Sequence, residues 1–260
     1  MKKIYFILLM LATSFALSAQ EEAVMAMNEG TATKAQADSA YINNDFAGAV
    51  AIYENILKNE GESADIYYNL GNSYYKMDNI AKAVLNYEKA LLLNPGDGDI
   101  RFNLELAQSK TVDKVVPMSE MFFVTWTKSL VNTLSEKGWS RVGITTFILT
   151  LSALALYFFG KKIVLKKVGF IAAIALFLVC IMANVFASTQ KTEIMSHDNA
   201  IIMVPSITVK STPNEGGTDL FILHEGRKVM IKDNTMKEWK EIVLEDGNAG
   251  WVPAHVIEII

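Results

Sequence analysis

Reactive and metal-binding side chains are scarce in this sequence. There is one cysteine, Cys180, inside an apolar run. Neither an intrachain disulfide nor a cysteine-based metal site can therefore form, and Cys180 is expected to be a small buried hydrophobe. The three histidines, His197, His224 and His255, are widely separated and lack metal-ligand spacing. No HExxH, P-loop, GxSxG or glycine-rich dinucleotide fingerprint occurs. These absences argue against an enzyme and leave no metal or cofactor to expect. Basic charge is short as well. The formal net charge is -4, and no basic patch interleaved with aromatics suggests nucleic acid. From Gln20 to Lys110 there are 14 Asp and Glu against 7 Lys and Arg. That imbalance reads as a solvated helical surface or as a preference for basic partners.

Charge is missing altogether from two long runs, Val142–Gly160 and Val168–Ser188. Both reach spanning length, for which a helix needs roughly 20 apolar residues. A helix is the open-chain way to satisfy backbone polar groups in hydrocarbon, so residues 142–160 and 168–188 are predicted as a transmembrane hairpin. Residues 161–167 between them hold Lys161, Lys162, Lys166 and Lys167, which marks a cytoplasmic turn and puts both ends of the hairpin outside. Lys128, Lys137 and Arg141 precede the first span and oppose this assignment at lower density. The N-terminus reads as a secretory signal over 1–19. Lys2 and Lys3 precede the apolar Ile4–Ala16 stretch, with small residues before Gln20. Over 119–140, Phe122, Phe123, Trp126, Leu130, Val131, Leu134 and Trp139 recur at helical steps. Two readings fit that spacing: an amphipathic helix at the membrane interface, or a helix packed on the preceding domain.

A shift of 34 residues aligns Asp65 with Asp99, Ile66 with Ile100, Asn69 with Asn103 and Leu70 with Leu104. It also aligns Tyr41 with Tyr75, Ala49 with Ala83 and Tyr53 with Tyr87. The middle copy carries Tyr67, Leu70-Gly71, Tyr74, Ala83, Tyr87, Ala90 and Pro95. Gly71 and Ala83 would let two helices approach, the tyrosines would fill the space between pairs, and Pro95 would stop the second helix. This pattern and period resemble the tetratricopeptide repeat, over 30–110 with a capping helix at the end. Such repeats resemble peptide-binding scaffolds whose first helices line a groove. The resemblance puts Lys34, Asp38, Tyr41, Tyr68, Asn72, Tyr75 and Asn103 on that face. Asn72 and Asn103 sit where some members clamp a peptide carboxylate, but the cationic partners of such a clamp are largely missing. The alternative is that both asparagines bond only to neighbouring groups.

From residue 198 to 260 the pattern changes to short β-rich runs bounded by Gly, Asn and Asp turns. Val209-Lys210-Ser211-Thr212-Pro213, Leu223-His224-Glu225-Gly226, Trp239-x-Glu241-Ile242 and Asp246-Gly247-x-x-Gly250-Trp251-Val252-Pro253 resemble a bacterial SH3 domain. That resemblance implies a small closed barrel that binds cell-wall peptides or proteins, with Trp239 and Trp251 as an aromatic ligand face. The alternative for Trp251 is packing in the barrel seam.

The expected fold class is multi-domain: an all-α tetratricopeptide-repeat solenoid, a transmembrane α-helical hairpin and a small all-β SH3-like barrel. This order resembles the BatE-type proteins of Bacteroidetes, encoded in the aerotolerance (Bat) operon. The resemblance implies an inner-membrane scaffold with both modules facing the periplasm. It also implies partners among von Willebrand A-domain membrane proteins and, indirectly, a MoxR-type ATPase. A cell-wall sensor that binds peptidoglycan through the SH3-like domain is the second reading.

Overall fold

The computed structural model describes residues 33–114 and 121–260. The predicted signal over 1–19 and the first residues of the predicted helix over 119–140 lie outside the described residues. The chain divides into two compact units, one ending at Gly61 and the other running from Glu62 to Ile260.

The first unit is a helical pair, α1 (Lys34–Ile42) and α2 (Phe46–Glu60). Thr33 caps α1 in a reciprocal box with Gln36, satisfying amides that an uncapped helix start leaves bare. Asp45 caps α2 by accepting from the Gly48 amide at 2.9 Å. Asn44 between the helices takes φ 61°, a left-handed conformation that Asn tolerates better than most residues. Ala37, Ala49, Tyr53 and Ile56 are buried.

The second unit begins with the same device. Helices α3 (Ala64–Lys76) and α4 (Ile80–Leu93) are joined through Asp78, at φ 59°. Asn79 caps α4 by accepting from the Lys82 amide at 3.2 Å. Positions 44 and 78, and caps 45 and 79, are each one 34-residue period apart, so the sequence register is also a register of backbone geometry. A Cβ on Gly71 would lie 2.7 Å from the Tyr87 ring, which is why a glycine stands there. Asp97 caps α5 (Gly98–Ser109) through the Asp99 and Ile100 amides. This single helix packs on α4.

The expected single helix over 119–140 is broken. Helix α6 (Phe122–Val131) ends, and α7 (Glu136–Phe159) starts with Ser135 accepting from the Gly138 amide. The break is held from outside. The Val131 carbonyl, unpaired at a helix end, accepts from Trp139 Nε1 at 2.7 Å and Gln190 Nε2 at 2.9 Å. Helices α7 and α8 (Ile163–Ser196) are both long and apolar enough to cross a membrane. They meet through Gly143, Thr150 and Ala153 on one side and Gly169, Ala173, Cys180, Ala183 and Ala187 on the other, small side chains that permit close approach. The connection is shorter than 161–167. Gly160, Lys161 and Lys162 turn the chain, and Lys166 and Lys167 already sit in the first two turns of α8. Helix α8 also runs past the apolar stretch to Ser196, ending at His197 in a left-handed conformation, φ 50°.

Seven strands follow: β1 (Asn199–Ile202), β2 (Ser206–Lys210), β3 (Asp219–His224), β4 (Lys228–Asp233), β5 (Trp239–Val243), β6 (Ala249–Pro253) and β7 (Ile257–Ile259). They form one antiparallel sheet in the order β3-β2-β6-β5-β4-β1-β7. Among the described residues no pairing joins β3 to β7, so the sheet is open where a closed barrel was expected. The last strand, β7, follows a short 3-10 turn over Ala254–Val256 and was not foreseen. Ala200, Ile202, Val209, Leu223, Val229, Ile242 and Val252 form its core.

Candidate protein-binding surfaces

Alternation along β1 should put Ile201 on the face opposite Ala200 and Ile202, yet all three are fully buried. Ile201 is outside the sheet core because it is covered by α4. Its two cross-strand neighbours are Lys228 on β4 and Glu258 on β7. The Lys228 ammonium reaches Glu88 at 2.7 Å, and the Glu258 carboxylate lies 3.8 Å from Lys89. Consecutive residues of α4 thus meet opposite charges on either side of one buried isoleucine. Beyond this contact, Asp113 accepts from the His224 backbone amide at 2.7 Å and lies 2.8 Å from its Nδ1. A Cβ on Gly226 would lie 2.7 Å from Thr111 Cγ2, and Gly226 holds φ 79°, so both the space and the turn call for glycine. The second helix of the repeat is therefore committed to the chain's own sheet.

The first-helix face is organised differently. In the second unit, Asn72 Oδ1 accepts from the Tyr87 hydroxyl at 2.7 Å and from Asn103 Nδ2 at 3.0 Å. Asn103 Nδ2 also donates to the Tyr68 hydroxyl at 2.9 Å. Four side chains from α3, α4 and α5 are thus one network. It leaves hydrogen-bonding capacity on the Asn72 amide nitrogen and the Asn103 amide oxygen. The structure brings Tyr68, Asn72 and Asn103 together. Tyr75 instead carries the Lys110 ammonium 4.3 Å above its ring, and that ammonium is 3.4 Å from Asp78. Lys110 was not among the expected residues. The repeat held the signal, since Lys76 and Lys110 are one period apart. Burial pulls the Lys110 ammonium down, but the Tyr75 hydroxyl and the Asp78 carboxylate together outweigh that pull and hold its pKa above the ordinary lysine value.

In the first unit the equivalent of the Tyr87–Asn72 bond is Tyr53 to Asp38, 2.5 Å. Lys34 pairs with Asp38 at 2.7 Å, and Tyr41 packs edge-on against Phe46. Burial pushes the Asp38 carboxyl up, and hydrogen bonds from Lys34 and Tyr53 more than reverse this, holding it below the usual carboxylate range. Burial, reinforced by that carboxylate, keeps the Tyr53 hydroxyl protonated far above the ordinary tyrosine range.

On the sheet, Trp239 pairs with Pro253 and Glu241 with Trp251. Both tryptophans therefore share the face opposite Ile242 and Val252, and both are half-buried. Trp239 lines an open recess of about 550 Å³ with Pro253, His255 and Lys237; Trp251 does not, and sits opposite Lys210 of β2.

Helical pairs of this geometry, with one face buried by the chain and the other open, define a repeat module for protein–protein interaction. Residues 64–97, covering α3, α4 and the loop to the α5 cap, match the tetratricopeptide repeat family. No curated protein matches the chain.

Proposed function

We propose that this protein is a non-catalytic membrane scaffold whose repeat binds an extended segment of another protein. The observation that carries the reading is the division of labour on the repeat. Its second helix is occupied by β1, whereas the Asn72–Asn103 network keeps one amide donor and one amide acceptor. A peptide bond offers the complementary pair. The hairpin supports the anchoring. The repeat precedes the first span and the sheet follows the second, and their contact through Ile201, Lys228 and Glu88 requires both on one side of the bilayer. The Lys-rich turn assigns that side to the periplasm. The resemblance to BatE-type proteins favours an aerotolerance or stress complex with von Willebrand A-domain membrane proteins as partners and a MoxR-type ATPase acting indirectly.

Photo-crosslinking in intact cells tests the repeat surface. A photoreactive side chain at Asn72 or Tyr75 is expected to give a defined protein adduct, and one at Glu54 on α2 none. Equal adducts at both places, or none at either, would contradict the assignment.

A second reading is favoured by the recess beside Trp239. An SH3-like face with an aromatic wall and a proline suits a cell-wall peptide. Sedimentation of the detergent-solubilised chain with purified sacculi, lost in Trp239→Ala, would support peptidoglycan binding; retention in the supernatant would exclude it.

A further inference from the structure

We infer that α6 is a lipid-docking helix, whose aromatic face enters the outer leaflet of the same bilayer that α7 and α8 cross; this rests on the reading of those two helices as spans. None of the α6 residues is buried. Phe122, Phe123 and Trp126 are 83%, 60% and 59% exposed, although rings of this size normally find cover. At about 100° per residue they fall, with Leu130, within a helical arc of roughly 100°. Thr125 and Lys128 lie on the other side. This helix is not packed on the repeat through its aromatic face, so the second of the two readings allowed by its spacing does not describe it.

The occupant follows from where α6 is fastened. Its last carbonyl, at Val131, accepts from Trp139 on α7 and Gln190 on α8. Gln190 Nε2 also donates to the Leu134 carbonyl at 2.8 Å, and Gln190 is 4% exposed. Trp139 in turn packs edge-on against Phe186, ring centroids 5.0 Å apart. Trp139 precedes the charge-free run at Val142 by three residues, about 5 Å along a helix. The end of α6 is thus held at the depth where lipid headgroups meet hydrocarbon, a layer roughly 6 Å thick on each side. Exposed Lys137, Arg141 and Lys191 stand at the same level, suited to lipid phosphates. A helix pinned there, with tryptophan and phenylalanine outward, fits the aromatic preference of that layer. Docking would also steady the repeat, because a Cβ on Gly96 would lie 2.6 Å from the Thr133 carbonyl. The α4–α5 loop therefore rests on the α6–α7 turn.

The test uses the full chain in nanodiscs of phosphatidylethanolamine and phosphatidylglycerol, in a Cys180→Ala background. Spin labels go singly at Phe122→Cys, Trp126→Cys, Thr125→Cys and Lys128→Cys, with Ile148→Cys and Leu178→Cys as span controls. Labels at 122 and 126 are expected to collide with oxygen several-fold more than with a water-soluble nickel chelate, and labels at 125 and 128 the reverse. With the controls reading lipid, nickel access at 122 and 126 overturns the proposal. So does immobilisation at both sites without access to either agent, which would mean a protein occupant, a second copy included. Controls that fail to read lipid would instead overturn the spans themselves, and the docking with them. With native side chains, quenching by brominated lipid should lose a component in Trp126→Phe; unchanged quenching counts against the proposal.

Discussion

Tyr67 shows how burial and charge act on one residue. Its ring is almost wholly buried in the repeat, with the Lys89 ammonium 5.8 Å from the ring centroid. Its hydroxyl lies 3.3 Å from Glu62 Oε1. Burial first, then the Glu62 carboxylate, pushes its pKa from the ordinary 10 up to about 12. Folding thus favours the neutral phenol. The stabilisation is complete below pH 10, the unfolded value, and is lost as pH rises toward 12. The expected outcome is loss of the repeat's helical circular dichroism in that window, shifted to higher pH in Tyr67→Phe. A transition that Tyr67→Phe does not move would contradict this account. The networks at positions 38 and 72 teach a related lesson. The same tyrosine position meets a carboxylate in one copy and a carboxamide in the other, so a shared fold carries two polarities on its first-helix face.

Among the elements, the contact of β1 with α4 is the least visible from sequence and the most consequential. Ile201 belongs to an apolar run, Ile201-Ile202-Met203-Val204, and such a run does not say which member faces the sheet core and which a neighbour. Removing the side chain from a fully buried isoleucine costs about 2–5 kcal/mol, and placing a charge there costs more unless the contact opens. In Ile201→Glu, amides of α4 and β1 should exchange hydrogen faster while those of β5 and β6 keep their protection. Unchanged exchange in α4 would mean that the isoleucine is not the anchor. Other elements were legible because their signals are local. The repeat was readable from its period and from Pro95 as a stop; its caps, Asp45 and Asn79, emerge only in the structure. Six strands were readable from turn residues, including Gly247 at φ 87°. The break before Ser135 was not, since it depends on Gln190, more than 50 residues away, capping α6. Strand β7 was missed because Ile257, Glu258 and Ile259 make a run too short to stand out. Sheet closure was expected from the SH3 resemblance and does not occur, because β3 and β7 remain edges.

At the scale of the molecule, two charge-free helices and the contact of repeat with sheet constrain one another. A chain that crosses a bilayer twice returns to its starting side, and only then can Glu88 before the hairpin meet Lys228 after it. Tethering two recognition surfaces to one membrane patch raises their effective concentration toward a shared partner. In the proposed scaffold, weak contacts would thereby act together. Gly, Ala and Ser occur in both charge-free runs, residues that permit close helix packing; the proposed side of the bilayer rests on the lysines near the turn. The most direct measurement is therefore of sidedness. Single cysteines are placed at Lys58, Asp246 and Lys161 in the Cys180→Ala background, and intact cells with a permeabilised outer membrane are treated with a membrane-impermeant maleimide. The account predicts labelling at positions 58 and 246 without lysis and at 161 only after it. Labelling of 161 in intact cells, or a split between 58 and 246, would contradict it.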